Sequence, residues 1–113
     1  MSDASQVPAS PIVSNLISEQ SSLDRIVLRT NPDVQGTNMD GETVLLDLST
    51  GRYYTLNRVG SVIWEHCTGN HTIRDIQTVL CDRFDVAPER ALDDLVTLVN
   101  QLTQEGLLQQ ERR

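Results

Sequence analysis

The amino-acid sequence predicts an α+β fold in which a three-stranded antiparallel sheet is followed by three helices. Two short runs rich in β-branched and apolar residues, 43–48 and 52–56, flank the turn residues Ser49-Thr50-Gly51. From Asn57 to about residue 105, apolar residues recur three and four positions apart, which is typical of amphipathic helices. Strands that precede helices, rather than alternate with them, favour this fold class.

The three predicted strands differ in how clearly the sequence marks them. Residues 23–29 alternate loosely and predict a first strand, and residues 31–41 contain enough turn formers to predict a long loop without regular structure. The runs 43–48 and 52–56 are the second and third strands. If the three strands pair in chain order, the third lies at the edge of the sheet. Its open hydrogen-bonding groups could then receive an extended peptide.

The helices are marked by their capping residues. Asn57 can cap a first helix that runs to about Cys67. Thr72 and Asp75 have the spacing of a capping box and begin a second helix. Pro88 in a first-turn position begins a third helix, which runs to about residue 105.

The third predicted helix has a wide apolar face. Its apolar residues are Ala91, Leu92, Leu95, Val96, Leu98, Val99 and Leu102. At 100° per residue they span about 160°, whereas a surface helix requires roughly 100°. Part of this arc must face the core. The remainder is covered by the small domain itself, by a dimer contact, or by a partner, so a monomer and a weak dimer are both open.

The sequence divides into one domain and two ends. Residues 1–22 are mostly polar and are expected to form a flexible, disordered tail, residues 23–108 the folded domain, and residues 109–113 a flexible C-terminus. The short apolar patch formed by Ile12-Val13 and Leu16-Ile17 is too short to span a membrane. No basic residue precedes it as in a signal peptide, so we expect no membrane association.

Charge and reactive residues exclude several functions. The net charge is −7, with sixteen acidic residues against nine basic ones, which argues against nucleic-acid binding. All nine basic residues are Arg, and the absence of Lys excludes Schiff-base chemistry. His66, Cys67, His71 and Cys81 form no redox or zinc motif. The cysteines are expected to be free, partly buried thiols in a reducing cytoplasm, with no metal, cofactor or catalytic residue.

The middle of the chain carries a recognisable set of motifs. They are Leu46-Asp47-Leu48, Thr50-Gly51, Tyr53-Tyr54, Leu56-Asn57, Gly60, Ile63-Trp64, and Thr72 with Asp75-Ile76. Three strands followed by three helices is a winged-helix-like arrangement, and with these motifs the chain resembles the PqqD family of peptide chaperones, also called RiPP recognition elements. The resemblance covers roughly residues 23–108. One departure is Ala87, where family members often carry an Asp that can cap the third helix.

The resemblance implies a binding function and no enzymatic activity. In this family the leader of a ribosomally made precursor peptide adds a strand beside the third strand and lies in the groove between that strand and the third helix. The leader is presented to a separate maturation enzyme, such as a radical enzyme or a leader peptidase, in pathways that include PQQ synthesis and lasso peptide maturation. The alternative is a winged-helix transcriptional regulator, or an interaction module without a role in peptide maturation.

The resemblance also implies which residues bind the peptide. They are Arg52, Tyr53, Tyr54, Thr55, Asp94, Leu95, Leu98, Val99 and Gln101. The strand residues would supply backbone hydrogen bonds, and the helix residues would supply apolar and polar side-chain contacts. Strand alternation places Tyr54 and Leu56 on one face and Tyr53 and Thr55 on the other, without indicating which face lies toward the core.

Overall fold

A computed structural model describes residues 23–112, and within them the chain forms six strands and three helices. The predicted N-terminal tail lies outside the described residues. The strands are β1 (Ile26–Thr30), β2 (Val34–Met39), β3 (Glu42–Asp47), β4 (Tyr53–Leu56), β5 (Thr68–Thr72) and β6 (Leu108–Arg112). The helices are α1 (Arg58–Glu65), α2 (Ile73–Arg83) and α3 (Pro88–Gln104).

The strands form two antiparallel sheets of three strands each. One has the order β2-β3-β4 and the other the order β5-β1-β6. The predicted class, an α+β fold with a three-stranded antiparallel sheet and three helices, is confirmed, as is the position of β4 at a sheet edge. The predicted pairing of the first strand is wrong, because β1 belongs to the other sheet and β2 takes its place.

Strand β2 arises from residues 31–41, which were expected to form an irregular loop. The Asp40-Gly41 pair joins β2 to β3 with positive φ at both residues, 57° and 86°, as a tight hairpin turn requires. Gly36 has a packing role, because a Cβ there would lie 2.7 Å from the indole Nε1 of Trp64. Gly36, which suggested a loop in the sequence, therefore leaves space for the Trp64 indole beneath the sheet.

The second sheet pairs β1 and β6, the first and last strands of the described domain. β6 pairs with β1 from Ile26 opposite Arg112 to Thr30 opposite Leu108. The predicted domain end at residue 108 therefore falls inside a strand pairing. On the other side of β1 lies β5, which begins at Thr68, directly after the predicted end of the first helix.

The helix starts follow the predicted caps. The Asn57 side chain accepts a hydrogen bond from the Gly60 backbone N–H at 2.8 Å. Thr72 and Asp75 form the reciprocal capping box, at 2.9 and 3.1 Å. Ala87 provides no side-chain cap, and α3 begins directly with a proline. The first helix ends at Glu65, two residues before the predicted end.

The core lies between the helices and the inner faces of the two sheets. Its fully buried side chains include Leu23, Leu28, Leu45, Ile63, Ile73, Ile76, Leu80, Leu95, Val99 and Leu107. The wide apolar arc of α3 is mostly covered by the domain itself, and only Leu92 and Leu98 of that arc remain partly exposed. A buried hydrogen bond of 2.7 Å between the hydroxyls of Thr43 and Ser61 connects β3 to α1.

Candidate functional site

Strand β4 pairs with β3 on one side only. Within residues 23–112 no strand lies along its other side. The side chains of Tyr54 and Leu56 face the core, whereas Tyr53 is 71% exposed and Thr55 is exposed. Strand alternation did not indicate which face of β4 lies toward the core, and the structure shows that it is the face with Tyr54 and Leu56.

The hydrogen-bonding pattern fixes which backbone groups of β4 reach the free edge. The Asp47 N–H donates to the Arg52 carbonyl oxygen at 2.9 Å, so these two residues form a hydrogen-bonded pair. In an antiparallel ladder hydrogen-bonded and non-hydrogen-bonded pairs alternate. Tyr54, opposite Leu45, therefore bonds to β3, and the N–H and C=O groups of Tyr53 and Thr55 point away from it.

The turn before β4 is held by Asp47. Its Oδ1 accepts hydrogen bonds from the Ser49 hydroxyl at 2.7 Å and the Ser49 N–H at 3.0 Å. The hydrogen bond from the Ser49 side chain is the main cause that lowers the pKa of the Asp47 carboxyl below 3.8, and burial opposes it. The ionised carboxylate thus organises the loop that delivers β4 to the sheet edge.

An open groove of about 420 Å³ lies between the end of β4, the start of α1 and the exposed side of α3. Its lining comprises Thr55, Leu56, Asn57, Val59, Gly60, Ile63, Arg90, Asp94, Thr97, Leu98 and Gln101. Four of the five α3 members recur at positions 90, 94, 97 and 101, and the fifth, Leu98, lies beside them on the same helical face. Apolar and polar side chains are both present, so the groove can hold an apolar side chain and hydrogen-bond its neighbours.

Gly60 lies in the groove where α1 and α3 come close together. A Cβ at this position would lie 3.2 Å from the Leu56 Cβ and 3.4 Å from the Leu98 Cδ2. A leucine side chain of α3 therefore lies close to the Gly60 backbone.

Charged contacts flank the groove. Near the start of β4, Glu105 accepts a hydrogen bond from the Tyr54 hydroxyl at 3.1 Å and lies 3.7 Å from the Arg52 guanidinium. In the first turn of α3, the Arg90 guanidinium lies 3.2 Å from the carboxylate of Asp94, four residues later in the helix. Both ion pairs are exposed and each contributes at most about 1 kcal/mol, so either can exchange with a ligand group.

The structure brings together only part of the predicted site. Thr55, Asp94, Leu98 and Gln101 line the groove. Arg52, Tyr53 and Tyr54 lie just before it, in the turn and on the edge strand. Leu95 and Val99 do not reach the groove. Both are 0% exposed because the core covers the side of α3 on which they lie, and this corrects the expectation that they contact a ligand.

Sequence reasoning also missed residues that the structure places in the groove. They are Leu56, Asn57, Val59, Gly60, Ile63, Arg90 and Thr97. The spacing of 90, 94, 97 and 101 was a usable signal for the α3 residues. For the others the signal was the direct passage from β4 into α1, which places the first turns of that helix beside the strand end.

The histidines and cysteines do not form a reactive cluster in the described part of the chain. Among residues 23–112, no group of three or more His, Cys, Asp or Glu side chains is arranged to hold a metal ion. His66 and His71 meet edge to face at 5.2 Å between ring centroids. Burial raises the pKa of the Cys67 thiol to about 12, so this thiol stays protonated and unreactive. Across the same residues, no helix is both long and apolar enough to cross a membrane.

Two three-stranded antiparallel sheets, one of them with an open edge strand, and three helices define a small α+β domain. The chain belongs to the PqqD family, since the family model described as "Coenzyme PQQ synthesis protein D (PqqD)" matches residues 42–108. That span contains β3, β4 and all three helices. The match confirms the family resemblance inferred from the sequence motifs.

Solved structures of similar fold include two leader-peptide complexes. "TbiB1 in Complex with the TbiA(beta) Leader Peptide" is 30% identical at a TM-score of 0.67, covering 72% of this chain and 94% of that one. "Lasso peptide synthetase B1 complexed with the leader peptide" is 27% identical at a TM-score of 0.66, covering 73% and 96%. The heterocyclase TruD, 18% identical at a TM-score of 0.55, shares the fold over 76% of this chain and 12% of its own. No curated protein sequence matches significantly.

Proposed function

We propose that this protein binds the leader segment of a ribosomally synthesised precursor peptide and presents it to a separate maturation enzyme. The observation that carries the proposal is the adjacency of the open edge of β4 to the groove along α3. An extended peptide can satisfy the free backbone groups of the strand while its side chains enter the groove. The two leader-peptide complexes of similar fold support the same assignment.

The backbone of β4 supplies the sequence-tolerant part of recognition. Tyr53 and Thr55 direct their N–H and C=O groups to the free edge, as the ladder alternation requires. They are two residues apart and therefore about 7 Å apart along the strand. A leader segment of about four residues can pair with them and add a fourth strand to the sheet β2-β3-β4.

Side chains of the groove supply selection. Leu56, Gly60 and Leu98 form an apolar surface that accepts an apolar leader side chain. Asp94 and Gln101 offer polar groups on the α3 side and can pair with a basic or polar leader residue. We assign the peptide-binding role to these residues together with Arg52, Tyr53, Tyr54 and Thr55.

The protein acts in this proposal as a binding module and not as an enzyme. The chemistry resides in the maturation enzyme, which receives the leader from the groove. The working compartment is the cytoplasm, where precursor peptides are translated and where thiols such as Cys67 and Cys81 remain reduced. Lasso peptide maturation is the favoured pathway because one of the similar leader complexes is a lasso peptide synthetase B1.

The decisive experiment is calorimetric titration of the protein with the leader half of the precursor peptide encoded beside its gene. A scrambled leader of the same composition is the control peptide, and the TbiA(beta) leader tests cross-recognition. We expect micromolar or tighter binding of the cognate leader and at least tenfold weaker binding of the scrambled one. Absence of binding by a correctly folded wild-type protein would refute the proposal.

Two charge variants locate the site. Leu98→Asp places a charge in the groove and should weaken leader binding at least tenfold. Thr78→Asp adds the same charge to an exposed position of α2 that does not line the groove, and should change affinity less than twofold. Equal affinities in the two variants would exclude the groove as the binding site.

A further inference from the structure

The sheet β2-β3-β4 has an outer face that is turned away from the helices. The in-register pairs place on this face Gln35, Thr37, Met39, Glu42, Val44, Leu46, Tyr53 and Thr55. The alternate residues of β3, which are Thr43, Leu45 and Asp47, are buried on the opposite face. Among the outer-face residues only Glu42 is charged, although the chain as a whole carries a net charge of −7.

The centre of this face is apolar. Leu46 lies opposite Tyr53, and Val44 lies two residues before Leu46 on the central strand. Val44 and Leu46 are partly exposed and Tyr53 is 71% exposed. We call these three residues the outer patch. Aromatic and aliphatic side chains without charge are typical of the centre of a protein–protein interface.

The outer patch is continuous with the proposed peptide site, on which this inference rests. Residues that lie opposite one another in a sheet direct their side chains to the same face. Leader residues paired with Tyr53 and Thr55 would therefore extend the outer face by one strand. The surface of the loaded protein then contains both the outer patch and every second side chain of the leader.

The size of the patch distinguishes between its possible occupants. Three strands about 4.8 Å apart and four to six residues long present roughly 200–300 Å² over the whole outer face, of which the outer patch is only a part. A stable interface buries about 800 Å² on each partner, so the patch alone is too small to hold a second copy of this chain. A partner that contacts the patch and the leader together gains additional area that exists only in the loaded state.

We propose that the outer patch and the bound leader strand together form the docking surface for the maturation enzyme. The enzyme would present an uncharged, apolar surface beside the site that receives the precursor. It would consequently bind the loaded protein in preference to the empty one. This arrangement makes delivery of the precursor depend on occupancy of β4.

The test separates leader binding from enzyme binding. The double variant Val44→Thr/Leu46→Thr places a β-branched residue at both positions of the central strand, which β4 separates from the leader. Tyr53→Thr removes a side chain that is 71% exposed and so carries little risk to folding. Met39→Thr is the matched control, because Met39 is 59% exposed on the same face but lies on β2, at the opposite edge of the sheet.

Binding of the maturation enzyme encoded beside the gene is measured by calorimetry, with and without saturating leader. We expect the wild-type protein to bind the enzyme at least tenfold more tightly with leader present. The double variant should bind the leader within twofold of wild type but the enzyme at least tenfold more weakly, and Tyr53→Thr should also weaken enzyme binding. Met39→Thr should behave as wild type in both titrations.

Three outcomes would overturn the inference while leaving the proposed function intact. The first is unchanged enzyme binding by folded patch variants that still bind the leader. The second is equal affinity of the enzyme for the empty and the loaded protein. The third is a dimer in light scattering that dissociates in the double variant, which would assign the patch to a second copy. Failure of the wild-type protein to bind leader would overturn both the proposed function and this inference.

Discussion

Tyr54 and Glu105 connect the start of the edge strand to the C-terminal end of α3 through a hydrogen bond of 3.1 Å from the phenolic hydroxyl to the carboxylate. The two residues are fifty-one positions apart in the sequence. Their contact holds the strand and the helix at a fixed separation next to the groove. Tyr54 faces inward and Tyr53 outward because successive side chains of a strand point to opposite faces.

Removal of this contact should weaken leader binding and lower the stability of the fold slightly. Tyr54→Phe removes one exposed hydrogen bond, so we expect a loss of about 0.5–1 kcal/mol in the free energy of unfolding. Leader affinity should fall several-fold because β4 and α3 are no longer held together. Urea denaturation and calorimetric titration measure the two effects. Arg52→Gln is the control. The Arg52 side chain is 70% exposed and its guanidinium lies 3.7 Å from Glu105, so the loss of this ion pair should change stability very little.

Proline substitutions should distinguish the free edge of β4 from its paired edge. Thr55→Pro removes an N–H that points to the free edge, and proline is tolerated at such positions of edge strands. The variant should remain folded and bind leader at least tenfold more weakly. Tyr54→Pro removes an N–H that bonds to β3 and should lower the melting temperature markedly. Circular dichroism and calorimetry give both results, and full leader binding by Thr55→Pro would argue against strand addition.

The stability of the β3–β4 hairpin should depend on pH through Asp47. Because hydrogen bonds from Ser49 lower the pKa of this carboxyl below 3.8, its ionised form contributes stability at neutral pH. That contribution is lost as pH falls through the folded-state pKa, below 3.8. The difference in melting temperature between wild type and Asp47→Asn should therefore be constant above about pH 5 and narrow below pH 4. A difference that does not narrow on acidification would contradict this role of the Asp47 carboxylate.

The two cysteines should differ in reactivity. Burial raises the pKa of Cys67 to about 12, and its thiol donates to the Ile63 carbonyl oxygen at 3.2 Å. Cys81 is only partly buried. At pH 7.5 a thiol reagent should label Cys81 in the folded protein and leave Cys67 unmodified, as mass spectrometry can show. The Cys81→Ser variant should be labelled only after unfolding in urea. Rapid labelling of the folded variant would contradict the buried placement of Cys67.

Local sequence signals predicted the helix starts and the edge strand well. Asn57 and the Thr72–Asp75 capping box act through contacts within four residues, so their spacing in the sequence is sufficient. The same is true of the turn before β4. Strand β2 was missed because Gly36 was interpreted as a turn former. In the structure Gly36 lies within the strand and packs against Trp64, twenty-eight residues later.

The sequence could not predict the features that depend on contacts between elements distant along the chain. The apolar arc of α3 gave no indication of which leucines and valines the core would cover, and Leu95 and Val99 proved to be inside. Strand β6 was likewise invisible, because Leu108–Arg112 is mostly polar and becomes a strand only through pairing with β1. The side of α3 that lines the groove is fixed by the approach of Leu98 to Gly60, a tertiary contact.

The pairing of Ile26 with Arg112 has a consequence for how this domain can be used in larger proteins. Opposed residues in an antiparallel pair lie about 5 Å apart, so the chain enters and leaves the domain at nearly the same point. Both crossing points belong to the sheet β5-β1-β6, whereas the groove borders the other sheet. Such a unit can be spliced into a host polypeptide without obstructing its binding edge. The occurrence of the same fold within 12% of the heterocyclase TruD chain is in keeping with that portability.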